Sequence, residues 1–258
     1  MSADPRYWYD ISGEEAKSID GYLNSTSSWV SPEDFDHKEH LIDNWKGGSS
    51  AISLLFDNVQ TLKPREWLND IIISFYLKLI VDDRHGSIFS LGPHFNSHIY
   101  VQEREQRIQK IKHLARSPFS FDVWLWPVHV NKIHWAAVAA YPAEHIVLIY
   151  DSSGQTIADS RRYGLELIEW ASMAWTHFHP QISVKEQMSL WEIGIIETGP
   201  IQSDAVNCGI YCCQTLLELS KGIPENDQHI WKWLDAGCDN IRKVMIEELA
   251  QQKLRARR

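Results

Sequence analysis

The sequence predicts one α+β domain that follows an N-terminal extension. Short runs rich in β-branched and aromatic residues occupy the middle of the chain, and helical periodicity is found on both sides of them. The chain has 258 residues, 44% of them hydrophobic and 23% charged, which is enough for one large domain with a substantial core. Residues 1–50 are polar and interrupted by Pro and Gly, so we place the domain boundary there and assign residues 51–258 to the domain.

The first strong helical pattern lies in the stretch WLNDIIISFYLKLI. Its apolar residues recur at helical spacing, namely Leu68, Ile71, Ile72, Phe75 and Leu79. Asn69 and Asp70 come in the first turn, where the helix dipole favours polar and acidic groups.

Strands are predicted in the middle of the chain. They lie in the stretches FDVWLWPVHV, IHWAAVAAY and HIVLIYD, and the last two are close enough in sequence to pair as a hairpin. An amphipathic helix over residues 159–178 and a strand in LWEIGII follow. A helix from Cys208 to Ser220 is ended by Gly222 and Pro224, and another helix is predicted in the last thirty residues.

Charge and composition exclude several classes of protein. The net charge is −9, and the only basic cluster is the terminal KLRARR, so we expect no nucleic-acid partner. No apolar run reaches the ~18 residues of a membrane helix, and the N-terminus lacks the features of a secretory signal. We therefore expect a monomer in the cytoplasm or nucleus, without a membrane partner; export that needs no signal peptide is also compatible.

The four cysteines are too few and too clustered for a disulfide scaffold. They also lack a second Cys or His pair at zinc-finger spacing, so we expect no metal and no cofactor. Cys212 and Cys213 fall inside a predicted helix and are interpreted as packing residues. Cys208 stands where a polar loop gives way to that helix, so it is either a small core residue or a nucleophile whose thiolate the helix N-terminus stabilises.

Three further residues complete a catalytic set around Cys208. His134 begins one predicted strand and Asp151 ends the next, so an antiparallel hairpin would bring the two side chains together. Gln202 precedes Cys208 by six positions and could donate its amide N–H to an oxyanion. Taken singly, each residue has a structural explanation: a core histidine, a carboxylate that caps the turn DSSG, and a loop glutamine.

The order His, Asp, Gln, Cys resembles that of the ubiquitin-like-protein-specific cysteine proteases, the SUMO/sentrin-specific peptidases, which belong with the adenovirus protease in one clan. The resemblance covers about residues 51–222 and is carried by His134 followed by Trp135, by the 17 residues from His134 to Asp151, and by Gln202 before Cys208. It implies a papain-like fold, with a central mixed sheet flanked by helices.

The resemblance also implies the role of each residue in the site. Cys208 would be the nucleophile, His134 the general base and acid, Asp151 the residue that orients it, and Gln202 part of the oxyanion hole.

The resemblance further implies three substrate-binding residues. Trp67 and Trp135 would cover a narrow tunnel for a Gly-Gly tail, although Trp67 could also pack in the core at the helix start. Asp70 would contact a basic residue of the modifier, which is SUMO by default, or ubiquitin or NEDD8. The N-terminal extension would add to the modifier-binding surface.

The chain departs from the family pattern next to the nucleophile. Asn207 replaces the Asp that often precedes the Cys, and SDAV replaces the usual Asn-Gly, which leaves the shape of this loop open. Two other functions remain as alternatives. One is acetyl transfer through the same cysteine, as in bacterial effectors of the clan, and the other is an inactive module that only binds the modifier.

Overall fold

The structure, a computed structural model, describes residues 40–42, 54–95, 104–112, 114, 116–154, 157–225 and 227–255. Nearly all of the N-terminal extension, and with it the predicted contribution to a modifier-binding surface, lies outside these residues. The backbone of strand β1 (His40–Ile42) is described, and it pairs antiparallel with β2 (Leu54–Leu55) across the predicted domain boundary.

A five-stranded mixed sheet forms the centre of the domain. Its strands are β3 (Ile88–Ser90), β4 (Val123–Val130), β5 (His134–Tyr141), β6 (Ile146–Tyr150) and β7 (Glu192–Ile195), in that spatial order. The pairs β4–β5 and β5–β6 are antiparallel, whereas the two edge strands β3 and β7 run parallel to their neighbours. β5 is buried along its whole length, as expected for the central strand of a covered sheet.

Helices cover both faces of this sheet. They are α1 (Phe56–Gln60), α2 (Asp70–Asp83), α3 (Arg104–Lys112), α4 (Ile157–Phe178), α5 (Val184–Met188), α6 (Cys208–Leu219) and α7 (Cys238–Gln251), with 3₁₀ turns at Pro118–Ser120 and Asp227–Ala236. α2, α6 and α7 pack on one face of β5, around Ala137 and Ala139. α4 packs on the other face, against Trp124 and Val138.

The predicted α+β architecture and most of its elements are confirmed. α2 begins as predicted, since Asn69 caps it by accepting a hydrogen bond from the backbone N–H of Ile72 at 2.9 Å. The predicted hairpin is β5–β6, with Ala137 opposite Tyr150. Several elements had no clear sequence pattern: the pair β1–β2, the three-residue strand β3, the strongly polar helix α3, and the short helices α1 and α5.

Among the described residues, no helix combines the length and the apolar character that a bilayer crossing requires.

Candidate active site

His134 and Asp151 are hydrogen-bonded at the open end of the β5–β6 hairpin. His134 is the first residue of β5 and Asp151 directly follows β6. Nε2 of His134 lies 2.7 Å from Oδ1 of Asp151, and both side chains are largely buried. Oδ1 also accepts hydrogen bonds from the backbone N–H and the hydroxyl of Ser153. Asp151 therefore caps the turn and contacts the histidine at the same time.

The surroundings of this pair favour its charged form. Burial alone would lower the pKa of His134, but hydrogen bonds to Asp151 and Cys208 and the charges of both groups raise it to about 9. Burial would raise the pKa of Asp151, but the hydrogen bonds from His134 and Ser153 hold it below its ordinary value. At neutral pH, His134 is thus an imidazolium between the side chains of Asp151 and Cys208.

Cys208 is the first residue of α6 and is buried. The N–H groups in the first turn of a helix have no intrahelical partners, and their partial positive charge favours a thiolate there. One turn later, the thiol of Cys212 donates to the carbonyl oxygen of Ala136 at 3.2 Å. This contact holds the start of α6 close to the start of β5, where His134 lies.

The other two cysteines of this stretch behave as packing residues. Cys212 and Cys213 are both buried in the core between α6 and β5, as predicted. Burial raises the pKa of each thiol well above its ordinary value, so neither is activated as a nucleophile.

Gln202 lies beside the Asp151 turn and its amide has a fixed orientation. Its backbone N–H donates to the carbonyl of Ser152 at 2.8 Å, and its Oε1 accepts from the hydroxyl of Ser152 at 2.6 Å. Nε2 donates one N–H to the carbonyl of Asp204 at 2.7 Å. Ser152 holds the amide oxygen of Gln202, so the amide nitrogen faces away from Ser152. One of its two N–H groups is bound by Asp204, which leaves the second for another acceptor.

The loop SDAV, where the chain departs from the family pattern, is organised by Asp204. Oδ1 of Asp204 accepts from the backbone N–H groups of Val206 and Asn207, both at 2.8 Å. Oδ2 accepts from the side-chain amide of Asn207, also at 2.8 Å. The carboxylate thus fixes the backbone that leads directly into Cys208.

The three predicted substrate-binding residues lie at the start of α2 and on β5. The side chain of Trp67 is 49% exposed, whereas Trp135 is buried and donates its indole N–H to the carbonyl of Leu68 at 3.1 Å. The ring of His129 stacks on Trp135 with 4.0 Å between centroids, and burial lowers the pKa of His129. Asp70 is already engaged, since its Oδ2 lies 2.9 Å from Nε2 of His94.

Three residues of this region had no assigned role in the sequence: Ser152, His94 and Arg242. Ser152 stands next to Asp151, and its buried hydroxyl orients Gln202. Arg242 is buried on α7 and binds the loop before Cys208. In the sequence, Arg242 stands beside Ile241 on the apolar side of a predicted helix. Charged residues are rare at such positions, and this was the one feature that pointed to a buried role for Arg242.

A cysteine at a helix start, with a histidine held by an aspartate on a neighbouring sheet, is the arrangement of a thiol peptidase. Residues 66–254 match the Ulp1 protease family, C-terminal catalytic domain. The chain belongs to this family of cysteine peptidases.

Curated relatives are similar over most of this chain. A sentrin-specific protease of Caenorhabditis elegans is 28% identical over 235 residues, which cover 86% of this chain and 32% of the relative. Human sentrin-specific protease 2 is 26% identical over 226 residues, which cover 80% of this chain and 34% of the relative. The chain thus spans about a third of the length of these relatives.

Two solved structures share the fold. The C-terminal Ulp1 protease domain in complex with Smt3, the yeast ortholog of SUMO, superposes with a TM-score of 0.66 at 18% identity, covering 95% of this chain and 97% of that one. The catalytic domain of the Chaetomium thermophilum Ulp1-like SUMO protease gives a TM-score of 0.66 at 14% identity, covering 95% and 92%. These likenesses confirm the predicted fold class.

Proposed function

We propose that this protein is a thiol isopeptidase that cleaves after the C-terminal Gly-Gly of a ubiquitin-like modifier of the SUMO class. One observation carries the proposal: His134 is hydrogen-bonded to Asp151 and also interacts with Cys208 at the start of α6. In this geometry a nucleophile, a proton carrier and an orienting carboxylate contact one another in that order.

In the first half of the reaction, the thiolate of Cys208 attacks the carbonyl carbon of the terminal glycine. The tetrahedral oxyanion accepts hydrogen bonds from the second N–H of Gln202 Nε2 and from the backbone N–H of Cys208. His134, held as imidazolium by Asp151, then gives its proton to the leaving amine. The C–N bond breaks and a thioester between the modifier and Cys208 remains.

In the second half, water replaces the amine. Neutral His134 removes a proton from this water as the oxygen attacks the thioester carbonyl. Collapse of the second tetrahedral intermediate breaks the C–S bond and releases the modifier with a free carboxylate. The thiolate of Cys208 and the imidazolium of His134 are restored together, and no metal takes part in any step.

The tail of the modifier would lie between Trp67 and Trp135. Support comes from their different burial: Trp67 is half exposed and accessible to a bound chain, whereas Trp135 is held by its hydrogen bond to Leu68 and by the ring of His129. Two indoles that clamp a backbone admit glycine and reject residues with side chains, which explains a requirement for Gly-Gly.

The modifier itself is proposed from the relatives, which are named as sentrin-specific or SUMO proteases. Asp70 would then attract a basic residue of the modifier body. The assignment of residues 1–50 as an extension that adds to this surface, and of residues 51–258 as the catalytic domain, stays a prediction, as do the monomeric state and the intracellular location. The match to a peptidase domain favours hydrolysis over acetyl transfer.

Electrophilic probes test the proposal directly. The protein is incubated with SUMO, ubiquitin and NEDD8 that each carry a C-terminal Gly-Gly electrophile, and adduct formation is followed by gel and by mass spectrometry. We expect rapid labelling of Cys208 by the SUMO probe and none in Cys208→Ala. Labelling by the ubiquitin or NEDD8 probe instead would change the assignment of the modifier. Labelling of Cys208 by none of the three probes would overturn the proposal.

A further inference from the structure

Arg242, on α7, has a buried guanidinium that joins two segments far apart in sequence. The side chain is 1% exposed, and among the described residues it forms no ion pair. Burial of a cation is costly and lowers the pKa of Arg242, and the charges of Asp204 and Asp239 offset this only in part. The groups that accept hydrogen bonds from this guanidinium indicate why a charged residue lies in the core.

One set of contacts reaches the loop before Cys208. Nη2 and Nε of Arg242 donate to Oδ1 of Asn207 at 2.8 and 3.1 Å, and Nη2 also donates to the carbonyl of Val206 at 3.2 Å. Asn207 in turn donates its Nδ2 to Asp204 at 2.8 Å. A continuous chain of guanidinium, amide and carboxylate therefore runs from Arg242 to Asp204, and its middle member, Asn207, directly precedes the nucleophile.

The other set of contacts reaches the loop before Trp67. Nη1 of Arg242 donates to the carbonyls of Thr61 and Lys63 at 3.1 and 2.9 Å, and Nη2 donates to the carbonyl of Glu66 at 2.8 Å. Glu66 is the residue directly before Trp67. The same guanidinium thus binds the segment that leads into Cys208 and the segment that leads into Trp67, one proposed wall of the substrate tunnel.

We propose that Arg242 is a positioning residue of the active site, which acts on Cys208 through the amide of Asn207 and on Trp67 through the backbone of the loop at 61–66. The inference rests on the proposed role of Cys208 as nucleophile. Asp204 and Asn207 take part in the same network. The amide oxygen of Asn207 accepts from Arg242 only while the amide nitrogen faces the carboxylate of Asp204.

The direction of the hydrogen bond between Asn207 and Asp204 can be tested by exchanging the amide and the carboxylate. Asn207→Asp places two carboxylates 2.8 Å apart, and Asp204→Asn places two amide nitrogens face to face. The double variant Asp204→Asn/Asn207→Asp restores a donor opposite an acceptor and keeps the net charge. We expect each single variant to slow alkylation of Cys208 about tenfold, and the double variant to recover most of the wild-type rate.

The readout is carbamidomethylation by iodoacetamide between pH 6 and 9, followed by mass spectrometry of the peptide that contains Cys208. Arg242→Lys should slow this alkylation and also raise KM for a fluorogenic SUMO substrate, because it releases the Trp67 loop. The Asn207 and Asp204 variants should lower kcat with little change in KM. Melting temperatures are recorded for every variant.

Glu248→Gln is the matched control, because Glu248 is a second buried polar side chain on α7, which accepts hydrogen bonds from the hydroxyl of Tyr76 and the backbone N–H of Arg255. It should lower stability and leave the alkylation rate of Cys208 unchanged. Equal slowing by Glu248→Gln and Arg242→Lys, or a double variant no faster than the singles, would overturn the role of Arg242. A wild-type Cys208 that does not react would instead contradict the proposed function on which the inference rests.

Discussion

Gly209 and Leu68 are in such close contact that a Cβ atom added to Gly209 would lie 2.7 Å from Cβ of Leu68. Gly209 directly follows Cys208, and Leu68 directly follows Trp67. The carbonyl of Leu68 also accepts the hydrogen bond from Trp135. The absence of one side chain therefore lets the nucleophile, both tryptophans and the start of α2 come together.

Gly209→Ala should impair both stability and activity. The added methyl group must displace the Cβ of Leu68, which is tied to the backbone, so we expect a loss of about 1–3 kcal/mol in the free energy of unfolding. The shift moves Trp67 and Cys208 apart, so kcat/KM should fall at least tenfold. Urea unfolding and hydrolysis of a fluorogenic SUMO substrate measure the two effects. Gly92→Ala, where a Cβ meets nothing within 4 Å, should change neither.

Asp151→Asn should impair turnover strongly, but less completely than His134→Ala. The hydrogen bond to Asp151 is the largest contribution that raises the pKa of His134, so in the variant this pKa should fall from about 9 toward its ordinary value of 6.5. The ring is then neutral at pH 7.5 and lacks the proton for the leaving amine. We expect kcat to fall about 10²- to 10⁴-fold.

NMR titration of the His134 ring gives the change in its pKa independently of activity. Ser153→Ala is the matched control, since it removes one hydrogen bond to Asp151 and keeps the carboxylate. It should shift the pKa of His134 much less. Equal pKa values of His134 in Asp151→Asn and in the wild type would contradict the assigned role of the carboxylate.

The contribution of His134 to the stability of the fold should fall as the pH rises from neutral toward 9. The pKa of His134 is about 9 in the folded state and close to 6.5 when unfolded, so the folded state binds the extra proton between these values. Its contribution is fully present below pH 6.5 and is lost as the pH rises through 9. Asp151 acts in the opposite direction, since its lowered pKa gives stability that is lost only as the pH falls below about 3.8.

Urea unfolding of the wild type and His134→Gln at pH 6, 7, 8 and 9, under reducing conditions, checks this prediction. The difference between the two proteins should be largest at pH 6 and shrink toward pH 9. A difference that grows with pH would show that His134 is neutral in the folded protein.

The positions of the three triad candidates could be predicted because each is set by local structure. His134 and Asp151 stand at the ends of consecutive strands with clear apolar patterns, and antiparallel pairing brings such ends together. Cys208 stands where a polar loop changes to helical periodicity. Secondary structure alone therefore brings His134 and Asp151 together at the open end of the β5–β6 hairpin, whereas the place of Cys208 beside them depends on how α6 packs on β5.

Arg242 and His94 could not be predicted, because their partners are distant in sequence. The acceptors of Arg242 near Thr61 lie about 180 residues earlier in the chain, and a charged residue on a helix is ordinarily exposed. His94 follows a strand of only three residues, which is too short for a periodic pattern. Contacts of this kind depend on how elements pack, which local patterns do not contain.

The contact between Asp70 and His94 predicts an effect on binding of the modifier. Oδ2 of Asp70 lies 2.9 Å from Nε2 of His94, so a basic residue of the modifier must share or displace this contact. His94→Ala should therefore lower KM for the SUMO substrate about two- to fivefold without a change in kcat, since exposed polar contacts of this kind contribute about 1 kcal/mol at most. Asp70→Asn should raise KM.

The double variant Asp70→Asn/His94→Ala distinguishes competition from an unrelated effect of the histidine. If His94 acts only by occupying Asp70, its removal has no benefit once the carboxylate is gone, and the double variant should show the KM of Asp70→Asn. His177→Gln, an exposed histidine in the last turn of α4, serves as the control and should leave KM unchanged. A fall in KM that persists in the double variant would mean that His94 meets the modifier directly, because the benefit would then no longer depend on Asp70.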